Sequence, residues 1–322
     1  MPDDMKKKLD DLIDDGKSEP KTPQKDSEEL QSAVRRWRKQ CEERASKKAD
    51  KEIRYERDIP RISSDNPAND RNPSSIRVSL EDAVEGEEVS VRKGRTIYLI
   101  ETAFSEKPEH IELYSEFIEA LSKPQSGLRH RMRDLWPAEG LEPEDIVFMD
   151  LETTGLGSSP LFLIGSMECE NDQLIVRQYL ARDYSEEPAA ILLFNQRFAD
   201  KKMLVTFNGK SFDMPYLRTR AAATGVDLAE EPLHFDLLHV CRRVWKNQLP
   251  NCKLQTLETY ICGRPRNGDI PGEQIPAAYH QFVRSGNANQ MVKILKHNML
   301  DIVTMADIMR RFTQPPEGNS DS

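Results

Sequence analysis

An aspartate and a glutamate at the end of an apolar run are the residues of this sequence that most clearly point to chemistry. Asp150 and Glu152 stand two apart in IVFMDLETTG, at 146–155. On a β-strand both side chains project from one face, because successive side chains alternate. Two neighbouring carboxylates repel each other unless a cation lies between them. The pair therefore indicates either a metal site or a strand end that meets solvent.

Two later segments carry acidic groups in apolar surroundings. Asp213 opens a predicted helix in FDMPYL, where it is either a ligand or a helix N-cap. His297 and Asp301, in HNMLD, stand four residues apart and so share one face of a helix. This second pair is either part of a site or an ordinary pair on a helix surface.

Taken together, these segments supply four carboxylates and one histidine, and no cysteine. Oxygen donors of this kind favour Mg²⁺ or Mn²⁺ over zinc. Two such ions, about 3.5 to 4 Å apart, support in-line attack on a phosphodiester. An imidazole has an ordinary pKa close to neutrality, so His297 is a candidate general base for the attacking water.

The elements that must position these residues are those of an α/β domain. Short apolar and β-branched runs predict strands at 146–152, 161–169, 173–181 and 202–208, and a short fifth strand at 234–236. Helical spacing predicts helices at 187–200, 213–224, 237–246, 254–262 and 291–312, and the segment 264–276 is predicted to be a loop. This order predicts a mixed β-sheet flanked by helices.

The three motifs, in this order, resemble those of the DnaQ-like, DEDD-type 3′→5′ exonucleases, which have a ribonuclease H-like fold. The motifs are DLETTG, the N-x-x-x-F-D pattern in NGKSFD, and His-x-x-x-Asp. The layout most resembles the YprB-type ribonuclease H-like domain proteins, through DLETTGLGSSPLFLIG, HFDLLHVCRRVWK, CKLQTLE and DIPGEQIPAAY. The resemblance covers about 145–312, and 76–144 weakly. It implies a metal-dependent nuclease that uses two Mg²⁺ or Mn²⁺ ions.

The resemblance also implies a role for each acidic residue of the motifs. Asp150 would bridge both metal ions. Glu152 and Asp301 would hold the ion on the side of the nucleophile, and Asp213 would support the second ion. His297 would be the general base, although three residues separate it from Asp301, which is the spacing of the tyrosine subgroup and not of the histidine subgroup.

Five further residues are expected at the nucleic acid. By the same resemblance, Thr153, Thr154 and Gly155 would shape the pocket for the terminal nucleotide, and Asn208 would sit near the scissile strand. Lys210, beside the third carboxylate, either contacts phosphate or balances charge. Asp236 is interpreted as the cap of a helix from Leu237 and not as a fifth ligand.

The charge balance limits how the protein can hold nucleic acid. The net charge of −9 resides in the part after residue 75, because residues 1–75 carry equal numbers of basic and acidic side chains. A nucleic-acid-binding protein usually has a basic surface. A local track is therefore needed, and the basic residues near 242–253, at 264–266 and at 293–296 form either that track or a mixed solvated face.

The remaining expectations concern organisation and setting. We expect a disordered charged segment at 1–75, a small β-rich and helical lobe at 76–144, the ribonuclease H-like exonuclease domain at 145–313 and a disordered tail at 314–322. No apolar stretch is long enough for a membrane span or an export signal, and five cysteines form no CxxC pair, so a cytoplasmic protein is expected.

The motifs therefore predict a 3′→5′ exonuclease that acts on DNA or RNA. Two alternatives stay open: a nucleic-acid binding module without catalysis, and a structure-specific endonuclease. The sequence does not distinguish DNA from RNA, and it does not identify a protein partner for the N-terminal segment.

Overall fold

The computed structural model describes residues 77–91, 94–103, 142–155, 157–171, 173–266 and 268–313. The predicted disordered segment at 1–75, the predicted tail at 314–322 and residues 104–141 of the predicted lobe lie outside the described residues.

The described residues form a seven-stranded sheet in the order β1-β2-β5-β4-β3-β6-β7. The strands are β1 (Glu87–Val91), β2 (Arg95–Ala103), β3 (Ile146–Thr153), β4 (Leu161–Glu170), β5 (Gln173–Leu180), β6 (Met203–Thr206) and β7 (Leu233–Asp236). Neighbours are antiparallel from β1 to β3, while β6 pairs parallel with both β3 and β7. The predicted mixed sheet is confirmed.

The helices are α1 (Leu80–Ala83), α2 (Glu187–Phe198), α3 (Asp213–Thr224), α4 (Leu237–Trp245), α5 (Leu254–Tyr260), α6 (Ile275–Ser285) and α7 (Asn289–Thr313). The segment 264–276, predicted to be a loop, contains a 3-10 turn (Gly272–Gln274), and its last two residues, Ile275 and Pro276, already belong to α6. The sequence pattern did not predict α6. Its buried residues Ile275, Ala278, Tyr279 and Phe282 nevertheless have the spacing of an amphipathic helix.

Helices cover both faces of the sheet and divide its apolar side chains between them. Val147 and Met149 of β3 pack on one face with buried residues of α2 and α3. Ile146 and Phe148 pack on the other face with residues of α4, α5 and α7. Since side chains alternate along a strand, the next residues on the second face of β3 are Asp150 and Glu152. The fold therefore directs both carboxylates towards the side that α7 covers.

The described strands of the predicted lobe belong to the main sheet. β2 pairs antiparallel with β5 along Tyr98–Ala103, and β1 pairs with β2. The domain limits themselves stay a prediction. None of the helices in the described ranges is both long and apolar enough to cross a bilayer.

Candidate active site

The first two carboxylates lie at the end of β3, where the strand changes register. Asp150 pairs with Gly165 of β4, and the pairing shifts between Glu152 and Thr153. Both acidic side chains are partly buried. Leu151, between them, packs on the opposite face against the core formed with α2 and α3. The predicted one-sided placement of the two carboxylates follows from this alternation.

A chain of buried amides orients Asp150. Asn298 of α7 donates from Nδ2 to Oδ2 of Asp150 at 2.8 Å and to its carbonyl at 3.3 Å. Gln178 of β5 in turn donates from Nε2 to Oδ1 of Asn298 at 2.9 Å and to the carbonyl of Leu295 at 2.8 Å. The sequence analysis missed Asn298, although it lies beside His297. Asn298 is fully buried, so this contact joins α7 to the sheet at the site.

Gly165 makes room for that contact. A Cβ atom there would lie 2.1 Å from Oδ1 of Asn298 and 2.5 Å from Cδ1 of Ile302. We expect Gly165→Ala to push α7 from the sheet and to lower the free energy of unfolding by about 1 to 3 kcal/mol. Urea denaturation measures this loss. Gly272→Ala is the matched control because a Cβ there meets nothing within 4 Å. Equal urea midpoints for the two variants would contradict this packing.

Asp213 is the first residue of α3 and not its N-cap, a position that Phe212 takes. The Asp213 side chain is 8% exposed. The backbone N–H groups of Asp213 itself and of Leu151, which lies between the two carboxylates of β3, lower the pKa of the Asp213 carboxyl against the effect of burial. The helix start therefore brings the third predicted carboxylate to the end of β3.

The carboxylates raise one another's pKa. Burial, followed by the charges of Asp301, Glu152 and Asp213, raises the pKa of Asp150 well above its ordinary value. Burial raises the pKa of Glu152 to about 8, with His297 opposing the shift and Asp301 and Asp213 adding to it. Burial also raises the pKa of Asp213 to about 7. Burial and this repulsion together favour the protonated forms of the three carboxyl groups.

An arginine and a histidine hold the fourth carboxylate. Asp301 on α7 pairs with the guanidinium of Arg266, which also pairs with Glu258 and, at 3.1 Å, with Asp269. Nε2 of His297 lies 3.5 Å from Oδ2 of Asp301. The loop before α6 thus inserts Arg266 and Asp269 beside the predicted site.

Asp269 anchors the other side of the His297 ring. Nδ1 of His297 lies 2.9 Å from both carboxylate oxygens of Asp269. Burial alone would lower the pKa of His297, but the hydrogen bond that the ring donates to Asp269 and the charges of Asp301 and Glu152 raise it above its ordinary value. The contact of His297 with Asp269 was not predicted from the sequence, because Asp269 lies 28 residues away.

The predicted nucleotide-pocket residues form a tight loop after β3. Thr153 donates from Oγ1 to the carbonyl of Gly155 at 2.9 Å, and Thr154 donates to that of Pro160 at 3.0 Å. Tyr216 of α3 donates to the carbonyls of Gly155 at 3.1 Å and of Ser159 at 2.6 Å. Both threonine hydroxyls therefore bond within the loop.

Asp236 ties the loop after β6 to the start of α4. Oδ1 accepts from the N–H of Asn208 at 2.8 Å and of Leu238 at 3.0 Å, and Oδ2 accepts from the N–H of Lys210 at 3.1 Å. The predicted helix cap is confirmed. The side chains of Asn208 and Lys210 are exposed.

A cleft of about 440 Å³ opens beside these groups. Of the five predicted catalytic residues, Asp150 and Asp301 line it, and Asn208 lines it as well. The other lining residues combine apolar, polar and basic side chains: Phe207, Leu238, Arg242, Asn251, Cys252, Lys253 and Leu254. This mixture suits a ligand with both an apolar part and negative charge.

The four carboxylates are chemically suited to a hard divalent cation, but their arrangement in this structure is not that of a metal site. All four carboxylates provide oxygen ligands of the type that Mg²⁺ and Mn²⁺ prefer. In the part of the chain that the structure describes, however, no group of three or more His, Cys, Asp or Glu side chains is arranged to hold a metal ion. Asp301 is engaged by Arg266. Metal binding therefore requires Asp301 to exchange this partner.

Comparison with known proteins finds one matching family model and several proteins of similar sequence. The family model of the RNase H superfamily matches residues 147–313. Protein YprB of Bacillus subtilis (strain 168) is 33% identical over 211 residues, covering 64% of this chain and 48% of YprB. A DNA polymerase of Pyrococcus glycovorans is 25% identical over 213 residues, covering 56% of this chain and 26% of the polymerase.

A solved structure was matched as well. The family B DNA polymerase from the hyperthermophilic archaeon Pyrobaculum calidifontis aligns with a TM-score of 0.41 and 18% identity, over 54% of this chain and 25% of that one. The chain spans less than half the length of these relatives. The family match covers more than half of the chain, from β3 to the end of α7. This chain belongs to the RNase H superfamily.

Proposed function

We propose that this protein is a metal-dependent nuclease that acts as a 3′→5′ exonuclease on phosphodiester bonds. The observation that carries the proposal is the group of four mutually repelling carboxylates at a cleft with basic walls. Membership of the RNase H superfamily supports a nuclease. The sequence similarity to DNA polymerases favours DNA over RNA as the substrate.

Asp150, Glu152, Asp213 and Asp301 would hold two Mg²⁺ or Mn²⁺ ions. When bound, such ions activate water and neutralise the charge that develops on the phosphate. The chain's own contribution is to preset the ligands. Asn298 fixes one oxygen of Asp150 by a hydrogen bond. The backbone N–H of Leu151 favours the charged form of Asp213.

His297 would accept the proton of the attacking water at Nε2. Its Nδ1 is anchored by Asp269, which leaves Nε2 on the side of Asp301. Thr153, Thr154 and Gly155 would bound the terminal nucleotide through the backbone of their loop. Asn208 would contact the strand from the cleft wall, and Lys210 would contact a phosphate outside the cleft.

Asp269 is then a positioning residue for His297. We expect Asp269→Asn to reduce kcat roughly 10- to 100-fold, the usual effect of losing a partner that orients a catalytic group. Asp269 raises the pKa of His297, so its loss lowers that pKa. A base works in its neutral form and loses activity when it is protonated, so the acidic limb of the kcat profile should move to lower pH.

Gln255→Ala is the matched control for Asp269→Asn. Gln255 is exposed and donates to Asp269 at 3.3 Å, so its removal disturbs Asp269 without touching His297. A pH profile of Asp269→Asn that overlays the wild-type profile would contradict a positioning role.

The proposed activity is tested by cleavage of end-labelled DNA and RNA in Mn²⁺, with Asp213→Asn and EDTA as controls. Stepwise release of nucleotides from the 3′ end of linear strands, with circular strands intact, is the expected result. Cleavage of circular single strands would replace the exonuclease by an endonuclease. No cleavage of any strand would remove the enzymatic proposal.

One observation favours a second candidate, a nucleic-acid binding module without catalysis. The pairing of Arg266 with Asp301 occupies one of the four proposed ligands. A binding module would bind oligonucleotides without cleaving them. Freeing Asp301 by the substitution Arg266→Gln would not give it cleavage activity. In the proposed nuclease, Arg266 would release Asp301, and the Asp301 carboxylate would then be available to bind the cation.

A further inference from the structure

The outer face of α4 carries a row of basic side chains. His239, Arg242, Arg243 and Lys246 follow the spacing i, i+3, i+4 and i+7, which places them on one side of a helix, and all four are exposed. The inner face is apolar, and Leu237, Leu238, Val240 and Cys241 are buried there. The helix is therefore anchored by one side and leaves a basic side in solvent.

The arginines and lysines of this row have no acidic partner among the described residues, whereas Nε2 of His239 lies 4.0 Å from Oδ2 of Asp236. Among the residues that the structure describes, no carboxylate lies within ion-pair distance of Arg242, Arg243, Lys246 or Lys253. Five arginines elsewhere each pair with at least one carboxylate: Arg177, Arg182, Arg220, Arg264 and Arg266. In a chain of net charge −9, a row of unpaired cations needs an explanation.

The row is continuous with the cleft of the candidate active site. Arg242 and Lys253 line that cleft together with Asp150 and Asp301. Arg243 and Lys246 continue along α4, and at about 1.5 Å per residue Lys246 lies roughly 6 Å along the helix axis from Arg242. A strand whose end lies in the cleft would therefore pass over further cations.

We propose that Arg242, Arg243, Lys246 and Lys253, the α4 stripe, bind the phosphodiester backbone of a single DNA strand whose end lies in the cleft. The inference rests on the proposed function, and it adds the path of the strand outside the reacting centre. Charge complementarity supports this occupant, because a strand brings one negative charge per nucleotide and the stripe supplies positive charge that no described carboxylate neutralises. The stripe is the local basic track that an acidic chain needs.

Stabilisation of the helix itself explains only some of the cations in the stripe. Cations in the last turn of a helix interact favourably with the helix dipole, and Arg242 and Arg243 occupy the last turn of α4. That effect does not account for Lys253, which lies beyond the helix on the cleft wall. It also predicts a change in stability and none in DNA affinity, so the two explanations separate by experiment.

The test uses the full chain and fluorescence anisotropy of a labelled dT20 strand in EDTA, which prevents cleavage. Arg243→Ala/Lys246→Ala removes two stripe cations that lie outside the cleft wall. We expect Kd at low salt to rise roughly tenfold and the slope of log K against log salt to become shallower by about 1.4, because each phosphate contact in a single strand contributes about 0.7. Thermal melting of the same variant checks that it is folded.

Arg95→Ala/Arg284→Ala is the matched control, since both residues are exposed on other elements, β2 and α6. An unchanged Kd and slope for the stripe variant, or equal losses in the control, would overturn the inference. Tighter binding of rU20 than of dT20 would overturn the assignment to DNA.

The binding readout keeps this inference separate from the proposed activity. If the wild-type chain cleaves DNA and the stripe variant binds as the wild type does, the inferred DNA-binding role of the stripe is wrong and the proposed activity stands. If the stripe variant loses affinity and the wild-type chain cleaves no strand in Mn²⁺, the proposed activity is wrong and the inferred role of the stripe stands.

Discussion

In the proposed mechanism, replacing Asp150 with asparagine should reduce metal-dependent cleavage by roughly 10³-fold or more, because Asp150 would be a ligand of both metal ions and such a ligand is worth several kcal/mol in the transition state. The amide keeps the size of the side chain. Asp150 accepts a hydrogen bond from the buried Asn298, and its pKa is raised first by burial and then by the charges of the other three carboxylates. The initial rate on a 3′-end-labelled strand in Mn²⁺ measures the loss.

Asp145→Asn is the matched control for this substitution. Asp145 precedes β3 and pairs with Lys202 at 2.9 Å, away from the four carboxylates. Cleavage by Asp145→Asn should remain close to the wild-type rate. If Asp150→Asn retained a tenth or more of the wild-type rate, the carboxylate group would not be the catalytic centre.

The second large effect is expected on stability in the absence of metal. Asp213→Asn should raise the free energy of unfolding at pH 8 by on the order of 2 to 4 kcal/mol, because it removes a charge that the fold disfavours. The pKa of Asp213 is about 7 in the folded chain, against an ordinary value of about 3.9 in an unfolded one.

The sign of the pH dependence follows from that shift. Below pH 4 the carboxyl is protonated in both states, so wild type and Asp213→Asn should have similar stability. As the pH rises towards 7, the unfolded chain loses this proton before the folded chain does, so the wild type becomes progressively less stable than the variant. Above pH 7 the difference should stay constant.

Urea denaturation in EDTA at pH 4, 6 and 8 measures this difference, and Mn²⁺ added at pH 8 completes the comparison. The ion should stabilise the wild type and have little effect on Asp213→Asn. Asp227→Asn, at an exposed carboxylate, serves as the control. A variant less stable than wild type at pH 8 would show that the Asp213 carboxylate is favourable in the fold without metal.

Local sequence patterns predicted much of the fold. Alternation on β3 predicted that Asp150 and Glu152 share a face and that Leu151 enters the opposite core. The structure also has helices at the predicted positions of Asp213 and Asp301. These predictions succeeded because each depends on residues within one strand or one turn of helix.

Contacts between distant segments could not be predicted in the same way. Gln178 meets Asn298 across 120 residues, and Arg266 meets Asp301 across 35. Gly165 is required by the close approach of α7, which no neighbour in sequence reveals. The pairing of β2 with β5 likewise depends on tertiary packing, so the sequence pattern alone left its place in the main sheet open.

The most direct test of the four carboxylates is anomalous scattering from crystals grown with Mn²⁺. Peaks within ligand distance, about 2.0 to 2.6 Å, of the carboxylates of Asp150, Glu152, Asp213 and Asp301 are predicted, with Arg266 displaced from Asp301. The absence of any peak among these four side chains at saturating Mn²⁺, with Arg266 still paired to Asp301, would contradict the proposed metal-dependent nuclease.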